Sequence, residues 1–201
     1  MSSNDTPTNL RKVHISQVKT ARRVGEFVKR NDGSPNLIRV EYDYDKVDPE
    51  VLRSDDPRVY IFTVDGLIVK IGGSECRGGI RATLSFYERA RTGRPGTSRF
   101  IIHGLIAREL DQGRRVEIYM IRSPRAQARV CGFFGCDDQE VSPFKPMERK
   151  CLRDYLKLSG GLYPEWNFQE RHAEYPEDLR QKHIRYHDER SRNRTSRSRT
   201  S

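Results

Sequence analysis

A chain of 201 residues and 23.4 kDa has room for one domain of ordinary size with extensions, but not for two full domains. Charged residues make up 33 % and apolar ones 34 %, so the core must be modest and concentrated in the middle of the chain. A net charge of +10 points to a polyanionic partner, nucleic acid first, because each lysine or arginine set against a phosphate releases counterions. The start, Met1-Ser2-Ser3-Asn4-Asp5-Thr6-Pro7-Thr8, is polar, and no apolar run approaches the ~18 residues of a membrane span, so a cytoplasmic protein without membrane contact is expected.

In chain order, residues 1–8 read as disordered, and Leu10 to Arg30 as a basic segment whose irregular apolar positions are compatible with a helix. A strand follows at Leu37 to Tyr42, then an acidic loop through Asp55-Asp56-Pro57. Val59 to Gly72 reads as a β-hairpin, two β-branched runs around Asp65-Gly66. A two-residue loop would pair Tyr60 with Ile71 and put Lys70 on the opposite face. A three-residue loop, with Gly66 left-handed, pairs Tyr60 with Lys70 and gathers Val59, Ile61, Leu67, Val69 and Ile71 on one face. That cleaner partition favours the three-residue loop, with phenol beside ammonium.

Gly78-Gly79 leads into a helix from about Ile80 to Arg91, broken by Gly93-Arg94-Pro95-Gly96. Thr97 or Ser98 can cap a second helix running to about Leu110. Val116 to Ile121 alternates as a third strand, Arg122 to Phe144 is an excursion, and Pro146 to Leu158 is a helix with Pro146 in its first turn. From about Arg180 the chain is arginine interleaved with Ser, Thr and Asn, which reads as a largely disordered basic tail able to track phosphates or simply to fray. His183 and His187 stand at helical spacing among charges and read as a solvated face. The four cysteines read as reduced thiols; Cys131 and Cys136 could supply two zinc ligands, a weak signal at four-residue spacing without a second pair.

Arg58-Val59-Tyr60 and Lys70-Ile71-Gly72 together resemble the signature of the GIY-YIG nucleases, standing where that family has Gly-Ile-Tyr and Tyr-Ile-Gly. Further on, Arg81 matches the family's helix arginine, Glu148 in Pro146-Met147-Glu148-Arg149-Lys150 its metal-binding glutamate, and Asn167 its late asparagine. Lysine at position 70 resembles the restriction-endonuclease branch. The resemblance covers roughly residues 58 to 170, and the order and separation of the motifs carry it.

The resemblance implies an α/β (α+β) fold, a small three-stranded antiparallel sheet flanked by helices, with residues 1–57 as an N-terminal extension, 58–170 as the nuclease domain and 171–201 as the tail. It also implies a sequence-specific endonuclease on double-stranded DNA, of restriction type and acting as a homodimer. Glu148, the only matched carboxylate, would bind Mg²⁺ or a similar ion such as Mn²⁺. Arg81 would clamp phosphate oxygens, and Asn167 would support the site. Tyr60, its pKa lowered by Lys70, would take the proton from water. A non-catalytic nucleic-acid-binding protein of this fold, or a repair or recombination nuclease on branched DNA, remains an alternative.

Overall fold

A computed structural model describes residues 12–197 of the protein; the expected disorder of residues 1–8 and the last four residues lie outside that range. The fold is mixed α and β. Five strands, β1 (Arg22–Lys29), β2 (Ile38–Tyr42), β3 (Arg58–Val64), β4 (Leu67–Ser74) and β5 (Val116–Arg122), form one antiparallel sheet in the order β2-β1-β5-β3-β4. The expected three-stranded sheet is therefore extended by a hairpin from the N-terminal segment. The helix expected up to Arg30 is in fact β1. Its register shifts between Arg23 and Gly25, so the buried side chains Val24 and Phe27 are three residues apart, a spacing that imitates a helix.

Helices cover both faces. Against one lie α2 (Gly79–Glu88) and α3 (Thr97–Asp111), burying Leu84, Tyr87, Ile102 and Ile106 on Phe27, Tyr60, Phe62 and Ile118. Against the other, α4 (Phe144–Ser159) sets Leu152 and Tyr155 on Val59, Ile61, Ile68 and Ile71, joined by Val13 and Ile15 from the N-terminal segment. The short helix α1 (Pro49–Arg53) begins where the Asp48 side chain accepts from the Glu50 N–H at 2.7 Å. After α5 (Phe168–Arg171), α6 (Glu177–Arg197) packs Leu179 against Gly104 of α3, where a Cβ would crowd the leucine. The unstructured tail expected from Arg180 is thus helical through Arg197, and the expected cap of α3 is replaced by Gly96 without a side-chain bond.

The excursion after β5 is a second hairpin, β6 (Ala126–Gly132) and β7 (Gly135–Val141), exposed along most of its length with Phe133 and Phe134 bare at its tip. Cys131 and Cys136 are not reduced thiols: they face each other across the ladder with Cα atoms 4.0 Å apart and form a disulfide. Cys76 and Cys151 are free. No helix among the described residues is long and apolar enough to cross a membrane.

The turn between β3 and β4 has two residues. Val64 pairs with Leu67, and Asp65 and Gly66 both have positive φ, 48° and 81°, as a primed turn needs to match the strand twist. The expected three-residue loop is wrong. Its consequence is recovered further along, because the register slips between Phe62 and Thr63, leaving Val69 as an extra residue in β4. Beyond the bulge Phe62 pairs with Lys70 and Tyr60 with Gly72, so Lys70 shares the face of Tyr60.

Where α3 crosses the β1–β2 loop, the fully buried His103 ties three segments. Its Nε2 accepts the Leu37 N–H at 3.2 Å, and its Nδ1–H donates to the Tyr87 carbonyl at 2.8 Å. Burial pushes its pKa from 6.5 down to about 4. The unfolded chain takes up this proton near 6.5 and the folded chain only near 4, so the stability is full above pH 6.5 and lost as pH falls through that window, a change of about 3 kcal/mol. Urea unfolding at pH 7 and pH 4.5 should show this loss in the wild type and a smaller one in His103→Gln; equal acid sensitivity in both would remove His103 from the account.

Candidate active site

β4 is an edge strand whose outward N–H and C=O groups need partners, and the segments that supply them build the site. At the turn end, Ile68 donates to the Val13 carbonyl at 2.9 Å, and Ile15 donates to that of Gly66 at 2.8 Å. In the middle, Trp166 donates to the Val69 carbonyl at 2.7 Å, and the buried Asn167 pairs with both polar groups of Ile71: Oδ1 accepts its N–H and Nδ2 donates to its carbonyl, each at 2.9 Å. Asn167 thus stands in for one residue of a neighbouring strand. At the far end Glu148 Oε1 accepts the Gly73 N–H at 2.7 Å.

Gly72 and Gly73 are small for steric reasons. A Cβ on Gly72 would collide with the Tyr60 phenol, and one on Gly73 would lie 2.9 Å from Glu148 Oε2. Two adjacent glycines thus let the phenol and the carboxylate approach neighbouring residues of β4 from the two faces of the sheet. The Tyr60 hydroxyl shares a 2.8 Å hydrogen bond with that of Tyr87 from α2. Burial pushes the Tyr60 phenol well above its ordinary range, and Tyr87 and Glu148 push it further; Arg99 is the cation that opposes them. The expected lowering by Lys70 is therefore overturned by desolvation, and Tyr60 holds its proton at neutral pH. Lys70 moves the other way. Burial lowers its pKa against the pull of Glu170 and Glu148, and its Nζ donates to the Ile71 carbonyl at 3.2 Å.

Of the five residues expected in the site, Tyr60, Lys70, Glu148 and Asn167 each lie on or against β4 between Lys70 and Gly73. Arg81 does not join them. Its guanidinium lies over the Tyr42 ring, 5.6 Å from the centroid, in an open groove of about 720 Å³ shared with Arg39, Glu88 and Arg89. The guanidinium felt by both Tyr60 and Tyr87 belongs to Arg99, in the first turn of α3, which packs over the Phe86 ring at 4.1 Å. Nothing in the sequence around Arg99 marks it. Arg58, where the family signature has glycine, is buried and structural, donating to the carbonyls of Ser54, Asp56 and Cys76 at 2.8–3.1 Å.

Among the described residues no three His, Cys, Asp or Glu side chains converge as a metal cage. The donor set suits a hydrated hard ion instead. Glu148 offers one carboxylate, with Oε1 engaged by the backbone and Oε2, in the space left by the missing Gly73 Cβ, 3.5 Å from Lys145 Nζ. A Mg²⁺-like ion, which keeps most of its waters and accepts ligands from a phosphate, fits that single oxygen.

No family model matches the chain, and no curated protein does. Solved structures to which it is similar include the following. A bacteriophage T4 EndoII mutant aligns with a TM-score of 0.47 and 16 % identity, over 77 % of this chain and 99 % of its own. The restriction endonuclease HPY188I in complex with product DNA aligns with a TM-score of 0.41 and 18 % identity, over 82 % and 95 %. Likenesses this distant carry no inference about activity, which has to come from the residues themselves.

The glycine step can be tested directly. Gly72→Ala should overpack the buried Tyr60–Tyr87 pair and cost about 1–3 kcal/mol in urea unfolding. Unchanged stability would mean that the phenol swings aside freely and that the centre is looser than described.

Proposed function

We propose that the chain is a metal-dependent endonuclease that hydrolyses phosphodiester bonds of double-stranded DNA. The observation that carries the reading is that a buried phenol (Tyr60), a half-buried lysine (Lys70) and a carboxylate (Glu148) all lie on or against the short stretch of β4 from Lys70 to Gly73. Strained or desolvated titratable groups of this kind cost stability and cluster where chemistry is done. The net charge of +10 and the Arg-lined groove beside Tyr42 suit a phosphate backbone.

In this reading Glu148 holds the divalent ion, which when bound supplies positive charge to the phosphate oxygens and lowers the pKa of its water. Lys70 is the proton acceptor, since burial favours its neutral amine, the form able to take a proton. The Tyr60–Tyr87 pair keeps its protons and orients the attacking water or a phosphate oxygen. Arg99 faces the charge that develops on the phosphate, while Arg81 lines the approach along the groove. Asn167 acts through β4, fixing the height of Ile71 between Lys70 and Gly72. Sequence specificity, and pairing of two copies to cut both strands, are part of this proposal, as is a place in the cytoplasm.

Two experiments separate the roles. In plasmid cleavage with Mg²⁺, Glu148→Gln should abolish detectable cutting while DNA binding persists, and Arg99→Ala should slow cutting by about a hundredfold as loss of a transition-state donor does; Arg81→Ala should instead weaken binding and leave the rate at saturating DNA closer to wild type. Full activity in Glu148→Gln would end the nuclease reading, and the reverse pattern for the two arginines would return the clamp to Arg81. In pH–rate profiles, cleavage needs the base deprotonated and so rises through its pKa. Lys70→Met should lose that rise, whereas Tyr60→Phe should keep it at a lower plateau; the opposite result makes Tyr60 the base.

A further inference from the structure

Away from this centre, α6 crosses the loop between α2 and α3 and brings three lone-pair donors together. His183 and His187, one helical turn apart, point their Nε2 atoms at each other at 3.0 Å, and each Nε2 lies 3.3 Å from the Pro95 carbonyl oxygen. The rings are held by neighbours. Phe100 meets His183 edge to face at 5.1 Å, Tyr186 meets His187 at 5.5 Å, and the Tyr186 hydroxyl donates to the Gly93 carbonyl at 3.0 Å.

Protons cannot satisfy this triangle. A neutral imidazole offers one N–H, and a carbonyl offers none. With one Nε2 protonated, one hydrogen bond forms and another edge sets lone pair against lone pair. With both protonated, the two N–H groups oppose each other across the 3.0 Å edge. A cation seated on the open side of the triangle satisfies all three atoms at once, with each ring carrying its proton on Nδ1. Metal–ligand distances of ~2.0–2.1 Å give edges of ~2.9 Å in an octahedron and ~3.4 Å in a tetrahedron, and the three observed edges fall within that range.

We propose that His183, His187 and the Pro95 carbonyl form a site for a divalent first-row transition metal, Zn²⁺ being the natural occupant, with water completing its shell. Two imidazoles and a neutral oxygen select such an ion over Mg²⁺ or Ca²⁺, which look for carboxylates. The ion would fasten the Gly93–Gly96 loop to α6, so its first effect is on the stability of that joint. The inference stands apart from the nuclease reading, since it uses none of the residues along β4.

The test uses the full chain without a histidine tag. Calorimetric titration with ZnCl₂ should give one equivalent bound in the wild type and in Glu148→Gln. Either His183→Asn or His187→Asn should lower the affinity by at least about tenfold, as loss of a ligand does. The Tm of the wild type should rise with Zn²⁺ and that of the double variant should not. Because a histidine variant can fold poorly, Co²⁺ binding to the wild type gives a second readout: visible d–d bands without a thiolate charge-transfer band identify nitrogen and oxygen ligands rather than Cys76 or Cys151. Failure of the wild type to bind Zn²⁺, binding unchanged in the folded double variant, or a thiolate band would each overturn the site.

Discussion

The outer edge of β4 is the constraint from which the rest of the molecule follows. A strand with one side unpaired must find partners for its backbone polar groups or present them to solvent and to other chains. Here the partners come from residues 13–15, 148 and 166–167, segments separated by most of the chain. Satisfying one strand therefore assembles the N-terminal segment, α4 and the Trp166–Asn167 turn around it. A side chain placed by this arrangement inherits the rigidity of the sheet, which a loop-borne residue would lack.

Burial at this edge has an energetic cost with a clear direction. Lys70 is held where its charge is disfavoured, and Tyr60 where its ionised form is. A core designed only for stability would place apolar side chains at both positions. The surrounding structure compensates through the tight packing of Phe27, Phe62 and Tyr87, whose rings meet at 5.1–5.2 Å in edge-to-face contacts.

Much of this was legible in the sequence, and what was not has identifiable causes. The Asp65-Gly66 turn, the strand after Leu37, the helices around Arg81 and Glu148, and the third strand of the original expectation all follow from local periodicity and turn chemistry. The faces of the hairpin did not, because a bulge at Val69 is an insertion in pairing, not in composition, and alternation alone cannot reveal it. The same applies to β1, where a bulge made strand positions look helical. The five-stranded sheet depended on β1 finding β5, a contact across some ninety residues that no local pattern encodes. The phenol's environment and the presence of Arg99 beside it depend on helix packing, so the residue types were readable but not what they would feel. The cysteine pair was read from compartment rather than from the hairpin that sets the two residues opposite each other.

The β6–β7 hairpin gives the molecule a sense of direction. Along its length Asp137, Asp138 and Glu140 outnumber a single Arg129, on a chain whose total charge is +10. The protein is therefore an electric dipole as well as a cation. In the field of a polyanion the acidic hairpin would be turned outward and the basic remainder inward before the surfaces touch. Added salt would blunt that turning along with the attraction, since both act over the same screening length.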